Sequence, residues 1–345
     1  MEFGVKKAAI IYITDNGLKL AERLRSLSPD AEIVKFAPGI IKDLWSRHDA
    51  LVFIMASGIV VRTIAPLLKD KKTDPAVVVL DEAGKFAVSL VGGHLGGANA
   101  LAHEIARFLG GEAVITTASD VNGLTSIDLW ARDNDLAVEN WDALPIVSTR
   151  YVNNGALRIY CTMSLKLPDE FLRVVDPRFA DVIVTNQLDV YKGAPRCSII
   201  GEGCATGACK VKGQVYLRPR NLSVGIGCNS GTSQKEIEAV VRAVLEEQNL
   251  SFLSILCVAT IDIKAEEPGL KAFCTAHTFP MRTYRSDELN LIEGQDRSEM
   301  VFKATGAYAV AEPAALLAGG STELLVRKQK KGNVTVAVVE AGREQ

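Results

Sequence analysis

A glycine-rich segment around a single histidine is the part of the chain best suited to chemistry. Its sequence, Gly92-Gly93-His94-Leu95-Gly96-Gly97-Ala98-Asn99, places four glycines around His94. Glycines let a backbone approach a ligand closely, and a helix beginning near Ala98 would point free N–H groups at a carboxylate or oxyanion. An unperturbed imidazole has a pKa of about 6.5, which suits proton transfer near neutral pH. The alternative is a tight strand-to-helix connection in which the glycines serve packing alone and His94 is exposed.

Three further polar clusters each follow an apolar strand. They are Ser57-Gly58 with Arg62, the pair Asp81-Glu82, and Thr116-Thr117 with Asp120. In an open parallel sheet, residues beyond the carboxyl ends of the strands line the ligand crevice, so we expect all four clusters to meet in one pocket. Arg62 offers bidentate geometry to a ligand carboxylate, and the acidic pair offers a general acid or base. The alternatives are a solvated helix face, an acidic turn and a helix cap.

A second glycine-rich loop lies far along the chain, where Gly225, Gly227 and Thr232 occur near the end of an apolar strand. Ser233 and Glu236 fit a capping box, which explains those two residues structurally. A short capped loop does not explain the glycines, so the segment is a candidate second ligand surface. This loop and the one at 201–207 have GxGxxxG spacing, one residue too long for the dinucleotide fingerprint, and no GxxxxGK[ST] motif is present. NAD and ATP are therefore disfavoured.

The elements that must position these residues follow an alternating pattern. Over 1–130, apolar strands alternate with segments of helical spacing, which predicts a parallel sheet, and continuous apolar strands are expected where helices cover both sheet faces. The pattern weakens over 131–220 and returns over 221–345. The sequence therefore predicts a multidomain α/β protein with three-layer α/β/α units and largely parallel sheets. Its expected parts are an N-terminal domain (1–130), a middle or linking domain (131–220) and a C-terminal domain (221–345).

Composition places further limits on function. The 345 residues are too many for one ordinary domain, and 39 Lys and Arg against 41 Asp and Glu give a formal charge of −2. No general field attracts such a chain to nucleic acid or to a membrane surface, so we expect neither as a partner. Seven cysteines without a CxxC pair are typical of reduced thiols, which favours the cytoplasm. His103 and Glu104 begin a zinc-protease motif, but Arg107 replaces the second histidine, so we predict no protein-bound metal.

Together these motifs resemble a known family. The stretch from SGIVVRTIAPLL (57–68) through GGHLGGANALAHEIA (92–106) to AVITTASD (113–120) resembles the N-terminal domain of the CbiG family, the cobalt-precorrin-5A hydrolases of anaerobic cobalamin biosynthesis. The segments VGIGCNSGTSQKEIEAV, TIDIKAEEPGL and AVAEPAALLAGGSTELL resemble that family's C-terminal domain in the same order. The resemblance covers nearly the whole chain and is weakest over 131–215.

The resemblance implies hydrolytic opening of the δ-lactone of cobalt-precorrin-5A. The meso carbon C-20 is then lost with its methyl group as acetaldehyde, which gives cobalt-precorrin-5B. No separate cofactor is implied, because the cobalt arrives inside the substrate. A non-catalytic cobalt-precorrin carrier or scaffold of the same pathway is the alternative, and an enzyme for a small phosphorylated ligand is a third reading. The sequence leaves open both a homodimer and direct transfer between neighbouring corrinoid-pathway enzymes.

Lactone hydrolysis requires an activated water and a group that stabilises the developing oxyanion. We hypothesise that His94 is the general base and that N–H groups of the surrounding glycines stabilise the tetrahedral intermediate. Asp81 or Glu82 would handle the proton required for carbon–carbon cleavage. Ser57 is a competing nucleophile, although no histidine adjoins it in sequence. The expected contacts for the carboxylate-fringed substrate are Ser57, Gly58, Arg62, Asn99, Thr116, Thr117, Asp120, Gly225, Gly227 and Thr232.

Overall fold

A computed structural model describes residues 7–37, 39–70, 73–190, 213–294 and 297–342 of the protein. The chain divides into two compact units, one made of residues up to Trp130 with Val152–Gly155, the other of Ala131–Tyr151 with Ala156 onward. The division into three domains stays a prediction, and the predicted glycine loop at 201–207 lies outside the described residues. No helix in the described ranges is long and apolar enough to cross a membrane.

The first unit is built on a six-stranded sheet with the order β2-β1-β3-β4-β5-β6. Its strands are β1 (Ala8–Tyr12), β2 (Glu32–Lys35), β3 (Ala50–Ile54), β4 (Ala76–Leu80), β5 (Phe86–Val91) and β6 (Glu112–Val114). The helices that begin in this unit are α1 (Asp15–Leu24), α2 (Ile40–Arg47), α3 (Ser57–Ile64), α4 (Ala98–Leu109), α5 (Ala118–Val121) and α6 (Ile127–Asp133). All neighbouring strands are parallel except β4 and β5, which are antiparallel.

Helices cover both faces of this sheet because successive side chains of a strand point to opposite sides. Ile10 and Val52 face one way and pack with residues of α1 and α4, such as Leu24. Ile11 and Phe53 face the other way and pack with residues of α2 and α3. The central strands are therefore apolar along their whole length, and the predicted three-layer arrangement is confirmed for this unit.

The second unit contains two five-stranded sheets. The first comprises β7 (Leu136–Val138), β8 (Leu157–Cys161), β9 (Phe171–Arg173), β10 (Val182–Val184) and β11 (Val215–Pro219), in the order β7-β11-β10-β8-β9. Helix α7 (Leu144–Asn154) lies between β7 and β8 in the chain. Strand β7 is antiparallel to β11, and the other pairs are parallel.

The second sheet of this unit has the order β14-β13-β12-β16-β15, in which β12, β13 and β14 are parallel and β15 and β16 form an antiparallel hairpin. Its strands are β12 (Leu222–Cys228), β13 (Ile255–Ile261), β14 (Met281–Tyr284), β15 (Val326–Lys331) and β16 (Val334–Glu340). Its helices are α8 (Gln234–Glu247), α9 (Pro268–His277), α10 (Ser286–Asn290), α11 (Glu299–Thr305) and α12 (Ala311–Gly319). Apolar clusters involving α8 and α9 on one face and α12 on the other make it three-layered, as predicted.

The predicted start of α8 is confirmed in part. The hydroxyl of Ser233 accepts a hydrogen bond from the N–H of Glu236 at 3.2 Å. The Glu236 carboxylate does not close the expected capping box, since it accepts from the backbone and side-chain amides of Asn333 at 3.3 and 3.0 Å. Glu236 therefore ties the start of α8 to the β15–β16 turn.

Candidate active site

The antiparallel strand β5 divides the predicted site residues between opposite edges of the first sheet. Val77 pairs with Val91 and Leu80 with Ala87, so the carboxyl end of β5 lies beside the amino end of β4. Strand β6 runs parallel to β5, which brings the residues after both strands to the same edge. The glycine-rich segment and Thr116–Asp120 therefore share one edge, whereas Ser57 and Asp81–Glu82 lie at the other. The expectation of a single pocket for all four clusters is wrong.

The side chains of Asp120, Ser126 and Asp128 converge at the first of these edges around the imidazole of His94. Its Nε2 lies 2.7 Å from a carboxylate oxygen of Asp120. Its Nδ1 lies 2.9 Å from the hydroxyl of Ser126 and 3.5 Å from a carboxylate oxygen of Asp128. Ser126 also makes a short hydrogen bond to that same Asp128 oxygen. Both ring nitrogens of His94 are thus engaged by protein side chains, and the imidazole is only 16% exposed.

The glycines fold the segment tightly onto itself and onto the sheet. A Cβ on Gly96 would lie 2.8 Å from the carbonyl oxygen of Gly92, and Gly92 itself has a φ of +72° beside the backbone of Ala76. The N–H groups of Ala98 and Asn99 donate to the carbonyls of Gly92 and Gly93, both at 3.0 Å. These N–H groups at the start of α4 are therefore occupied, and the glycines place His94 rather than presenting the helix terminus to an anion.

The N–H of Gly97 is also occupied, by the carbonyl of His94 at 2.9 Å, and Gly97 enters α4 with a φ of +87°. Gly93 is crowded in a different way, because a Cβ there would lie 2.8 Å from the side-chain oxygen of Asn99. Close packing thus accounts for Gly93, and the left-handed backbone accounts for Gly97. The predicted oxyanion donors in this segment are in part wrong, since Gly97 donates inside the loop.

Asn99 orients the carboxylate that faces His94. Its side chain is buried and donates to Asp120 at 3.0 Å and to Thr117 at 3.3 Å, while accepting from Ser89 at 2.7 Å. The side-chain amide of Asn99 therefore holds Asp120 and Thr117 in position. Asp120 is the most exposed member, with 39% of its side chain accessible, and Thr116, which follows β6, is also exposed.

The two carboxylates set the protonation of the imidazole. The hydrogen bond to Asp128, with help from Asp120, raises the pKa of His94 above its ordinary value, although burial acts in the opposite direction. Burial alone would raise the pKa of Asp128, but hydrogen bonds from His94 and Ser126 keep it below its usual value. The cluster therefore favours an imidazolium beside a carboxylate more strongly than an isolated histidine would.

The acidic pair at the opposite edge serves the hairpin between β4 and β5. Asp81 accepts the N–H groups of Ala83 at 2.9 Å and Phe86 at 2.6 Å, and Glu82 accepts the hydroxyl of Thr14. Burial would raise the pKa of Asp81, but these backbone donors hold it below its usual value. Asp81 and Glu82 do not lie beside His94 as expected, because the antiparallel pairing of β4 with β5 leaves them at the opposite edge of the sheet, and their role in proton transfer stays a prediction.

A mainly apolar cavity of about 590 Å³ opens at that second edge. Ser57, at the start of α3, lines it together with Asp81 and Glu82. The exposed Gly58 and Arg62 lie on the same helix. The cavity stands at the carboxyl ends of β1 and β3, where the strand order reverses, which is the usual ligand position in open α/β sheets.

In the second glycine-rich loop, the three predicted residues Gly225, Thr232 and Gly227 have different structural roles. A Cβ on Gly225 would come within 1.8 Å of the carbonyl oxygen of Ala311, so close packing of β12 against α12 requires glycine there. Thr232 is buried and donates to the carbonyl of Asn229 at 2.7 Å, which closes the turn. Gly227 differs, since it lines a cavity of about 440 Å³ beside Cys228.

Sequence reasoning missed Ser126 and Asp128. Ser126 lies 32 residues beyond His94, and its carbonyl accepts the N–H of Trp130 at 2.9 Å as the first turn of α6 forms. A serine followed two residues later by an aspartate is the local signal, and it is too common to identify a site. No cluster of three or more His, Cys, Asp or Glu residues in the described ranges is arranged to hold a metal ion.

Comparisons with known proteins match both ends of the chain. The family described as "Cobalamin synthesis G N-terminal" matches residues 39–120, and "Cobalamin synthesis G C-terminus" matches 222–339. A protein of Priestia megaterium named cobalt-precorrin-5A hydrolase is 33% identical over 96% of this chain and 94% of its own length. A Salmonella typhimurium protein of the same name is 29% identical over 96% of both chains.

A solved structure gives a weaker likeness over the same length. The putative cobalamin biosynthesis protein G homolog from Sulfolobus solfataricus is 23% identical, covers 97% of each chain and has a TM-score of 0.37. The sequence matches at both ends, and the full-length relatives, agree with the resemblance found in the motifs. The chain belongs to the CbiG family of cobalamin synthesis proteins.

Proposed function

We propose that this protein is a cobalt-precorrin-5A hydrolase. It opens the δ-lactone of its substrate and releases the meso carbon C-20 with its methyl group as acetaldehyde, which yields cobalt-precorrin-5B. The observation that carries the proposal is the likeness to relatives of that name over nearly the full length of both chains. Cobalt takes part as cargo of the substrate, and the proposal includes no separate cofactor.

The cluster around His94 has the groups that lactone opening needs. The reaction requires a nucleophile at the carbonyl carbon, a base for the nucleophile's proton and an acid for the departing alkoxide. His94 can alternate between base and acid because carboxylates support its charged form on both sides. Asp120 is the most exposed of these groups. In this proposal it takes the proton of the hydroxyl group that lactone opening creates. The aldehyde C=O then forms, and the macrocycle receives the electron pair of the broken carbon–carbon bond.

Binding of the macrocycle requires donors for several carboxylates. Arg62 offers a bidentate guanidinium, and Thr116 and Thr117 offer hydroxyls after β6. Gly227 lines a cavity of the second unit and is a separate candidate contact. These residues remain proposed contacts, to be tested through the KM of alanine variants.

Anaerobic incubation with cobalt-precorrin-5A tests the function directly. We expect the tetrapyrrole to gain the mass of one water and lose the mass of one acetaldehyde, and we expect free acetaldehyde in solution. A carrier would bind the substrate without releasing aldehyde, and that outcome would overturn the proposal.

His94→Ala is expected to lower the rate of acetaldehyde release by about 100-fold or more, because it removes the general acid and base. His103→Ala is the matched control, since His103 is an exposed histidine of α4. Acetaldehyde release would be monitored for both variants after circular dichroism has shown native folding. An unchanged rate in folded His94→Ala would remove His94 from the mechanism.

A further inference from the structure

Ser126 is held in the geometry of an activated nucleophile. The start of α6 fixes its backbone through the hydrogen bond from Trp130, and its hydroxyl oxygen lies 2.9 Å from Nδ1 of His94. The opposite ring nitrogen lies 2.7 Å from Asp120. A hydroxyl, an imidazole and a carboxylate in this order are the three parts of a catalytic triad, which is recognised by geometry rather than by sequence position.

We propose that Ser126 is the nucleophile of this enzyme and that the lactone is opened through an acyl-enzyme at its side chain. The inference rests on the proposed function, which names the lactone, and replaces direct attack by water with two acyl transfers. His94 is the proton carrier, and Asp120 fixes its tautomer and stabilises the imidazolium that forms.

Asp128 gives the relay two protonation states. When His94 is charged, Nδ1–H donates to Ser126, whose own proton points to Asp128. When His94 is neutral, Nε2–H donates to Asp120 and the lone pair of Nδ1 accepts the proton of Ser126. The second state is the reactive one, because the serine proton then points to its base. The first state becomes the second when the Nδ1 proton is lost to solvent and the hydroxyl hydrogen of Ser126 rotates from Asp128 to Nδ1, and no heavy atom has to move.

The chemical steps balance with water as the only co-reactant. The proton of Ser126 passes to Nδ1 of His94 while its oxygen bonds to the lactone carbonyl carbon. The bond from that carbon to the ring oxygen breaks, and the departing alkoxide takes the proton from His94. A water molecule then gives its proton to His94, attacks the ester carbon and frees Ser126, which recovers its proton. The product carries a carboxylic acid and an alcohol, and the alcohol enters the carbon–carbon cleavage.

Ser119 is the other serine near the imidazole, and its geometry is weaker. Its hydroxyl lies 3.4 Å from Nε2, the nitrogen that Asp120 approaches to 2.7 Å. Transfer of its proton to Nε2 would compete with the carboxylate that already occupies this side of the ring. The structure therefore favours Ser126.

Labelling with an alkyl fluorophosphonate tests the nucleophile without the substrate. The serine oxygen displaces fluoride from phosphorus, and peptide mapping of the labelled full-length protein locates the adduct. We expect the label on Ser126, its loss in Ser126→Ala and His94→Ala, and its retention in Ser46→Ala, a control at the exposed hydroxyl of α2. A label on Ser119 or Ser57, or no label in the unmodified protein, would overturn the inference.

Rapid quenching with cobalt-precorrin-5A tests the acyl-enzyme itself. We expect an adduct with the mass of protein plus substrate, absent in Ser126→Ala, and an acetaldehyde rate lower by about 1,000-fold or more in that variant. Folded Ser126→Ala that releases acetaldehyde at the parental rate would refute the nucleophile while leaving the proposed function intact. If Ser126 is labelled but the protein releases no acetaldehyde, the result would support the triad and refute cobalt-precorrin-5A as the substrate.

Discussion

At the scale of single residues, the proposed chemistry depends on an imidazole with a carboxylate on each side. Asp120 approaches one ring nitrogen, and Asp128 shares the other with Ser126. Each carboxylate stabilises the charged ring, so His94 remains protonated to higher pH than a free histidine. The sequence predicts His94 as a general base and Asp120 as a substrate contact, and it does not predict that Asp120 or Asp128 contacts the ring. With them, the ring is better described as the carrier in a proton relay.

Asp128→Asn is expected to move the pH dependence of Ser126 labelling to lower pH. Removal of this carboxylate removes the main cause that raises the pKa of His94, so the neutral, reactive ring appears at lower pH. The measurement is the labelling rate between about pH 5 and 9, with the titration of the His94 ring followed by NMR. Asp133→Asn is the control at the end of the same helix, where the side chain is 61% exposed and pairs with Arg132. Identical midpoints in the two variants would refute the assigned role of Asp128.

Sequence reasoning identified part of this cluster. His94, Asn99 and Asp120 were all candidates, and the structure brings them together. Ser126 and Asp128 were not found, because they follow in a short segment without strong helical periodicity. Their approach to His94 depends on the turns around α5, which no local pattern specifies. Their residue types form a local signal too common to identify a site, so only the folded chain shows that they reach His94.

At the scale of elements, the direction of β5 decides which residues meet. The connection between β4 and β5 is only residues 81–85, and a parallel pair needs a crossover of about a dozen residues or more. The two strands must therefore form a hairpin. The sequence contains this signal, but the strand–helix alternation elsewhere predicts parallel pairs and so predicts a single edge for all four clusters. The sequence predicts the fold class correctly. Which of the four clusters lie at the same edge depends on the length of the β4–β5 connection.

Gly96→Ala tests whether the glycine-rich segment acts by placing His94. The added Cβ would lie 2.8 Å from the carbonyl oxygen of Gly92, so the segment has to shift and His94 with it. We expect Ser126 labelling to slow by about 10-fold or more, because small displacements of a catalytic group are costly. Gly58→Ala is the matched control, since no atom lies within 4 Å of its Cβ and the residue is helical. Equal labelling rates in the two variants would show that the segment tolerates the shift.

At the scale of the whole molecule, the relay and the second glycine-rich loop belong to different compact units. His94, Asp120, Ser126 and Asp128 all precede Ala131, whereas Gly225 and its contacts lie beyond it. The sequence indicated two α/β regions at the ends of the chain, and both family matches fall on them. The candidate catalytic residues His94, Asp81 and Glu82 all lie in the first of these regions. The side-chain distances around His94 support the proposal that this region contains the catalytic group.

Gly225→Ala is expected to destabilise the second unit without affecting the relay in the first. Its Cβ would lie 1.8 Å from the carbonyl oxygen of Ala311, and overpacking of this kind costs about 1–3 kcal/mol or more of the free energy of unfolding. Gly227→Ala is the control, because the nearest atoms to its Cβ are 3.8 and 3.9 Å away. Calorimetry is expected to show a lower unfolding temperature in Gly225→Ala alone, with Ser126 labelling at 25 °C unchanged in both variants. A parallel loss of labelling in Gly225→Ala would show that the relay depends on the second unit, and the proposed triad would then need that unit to form.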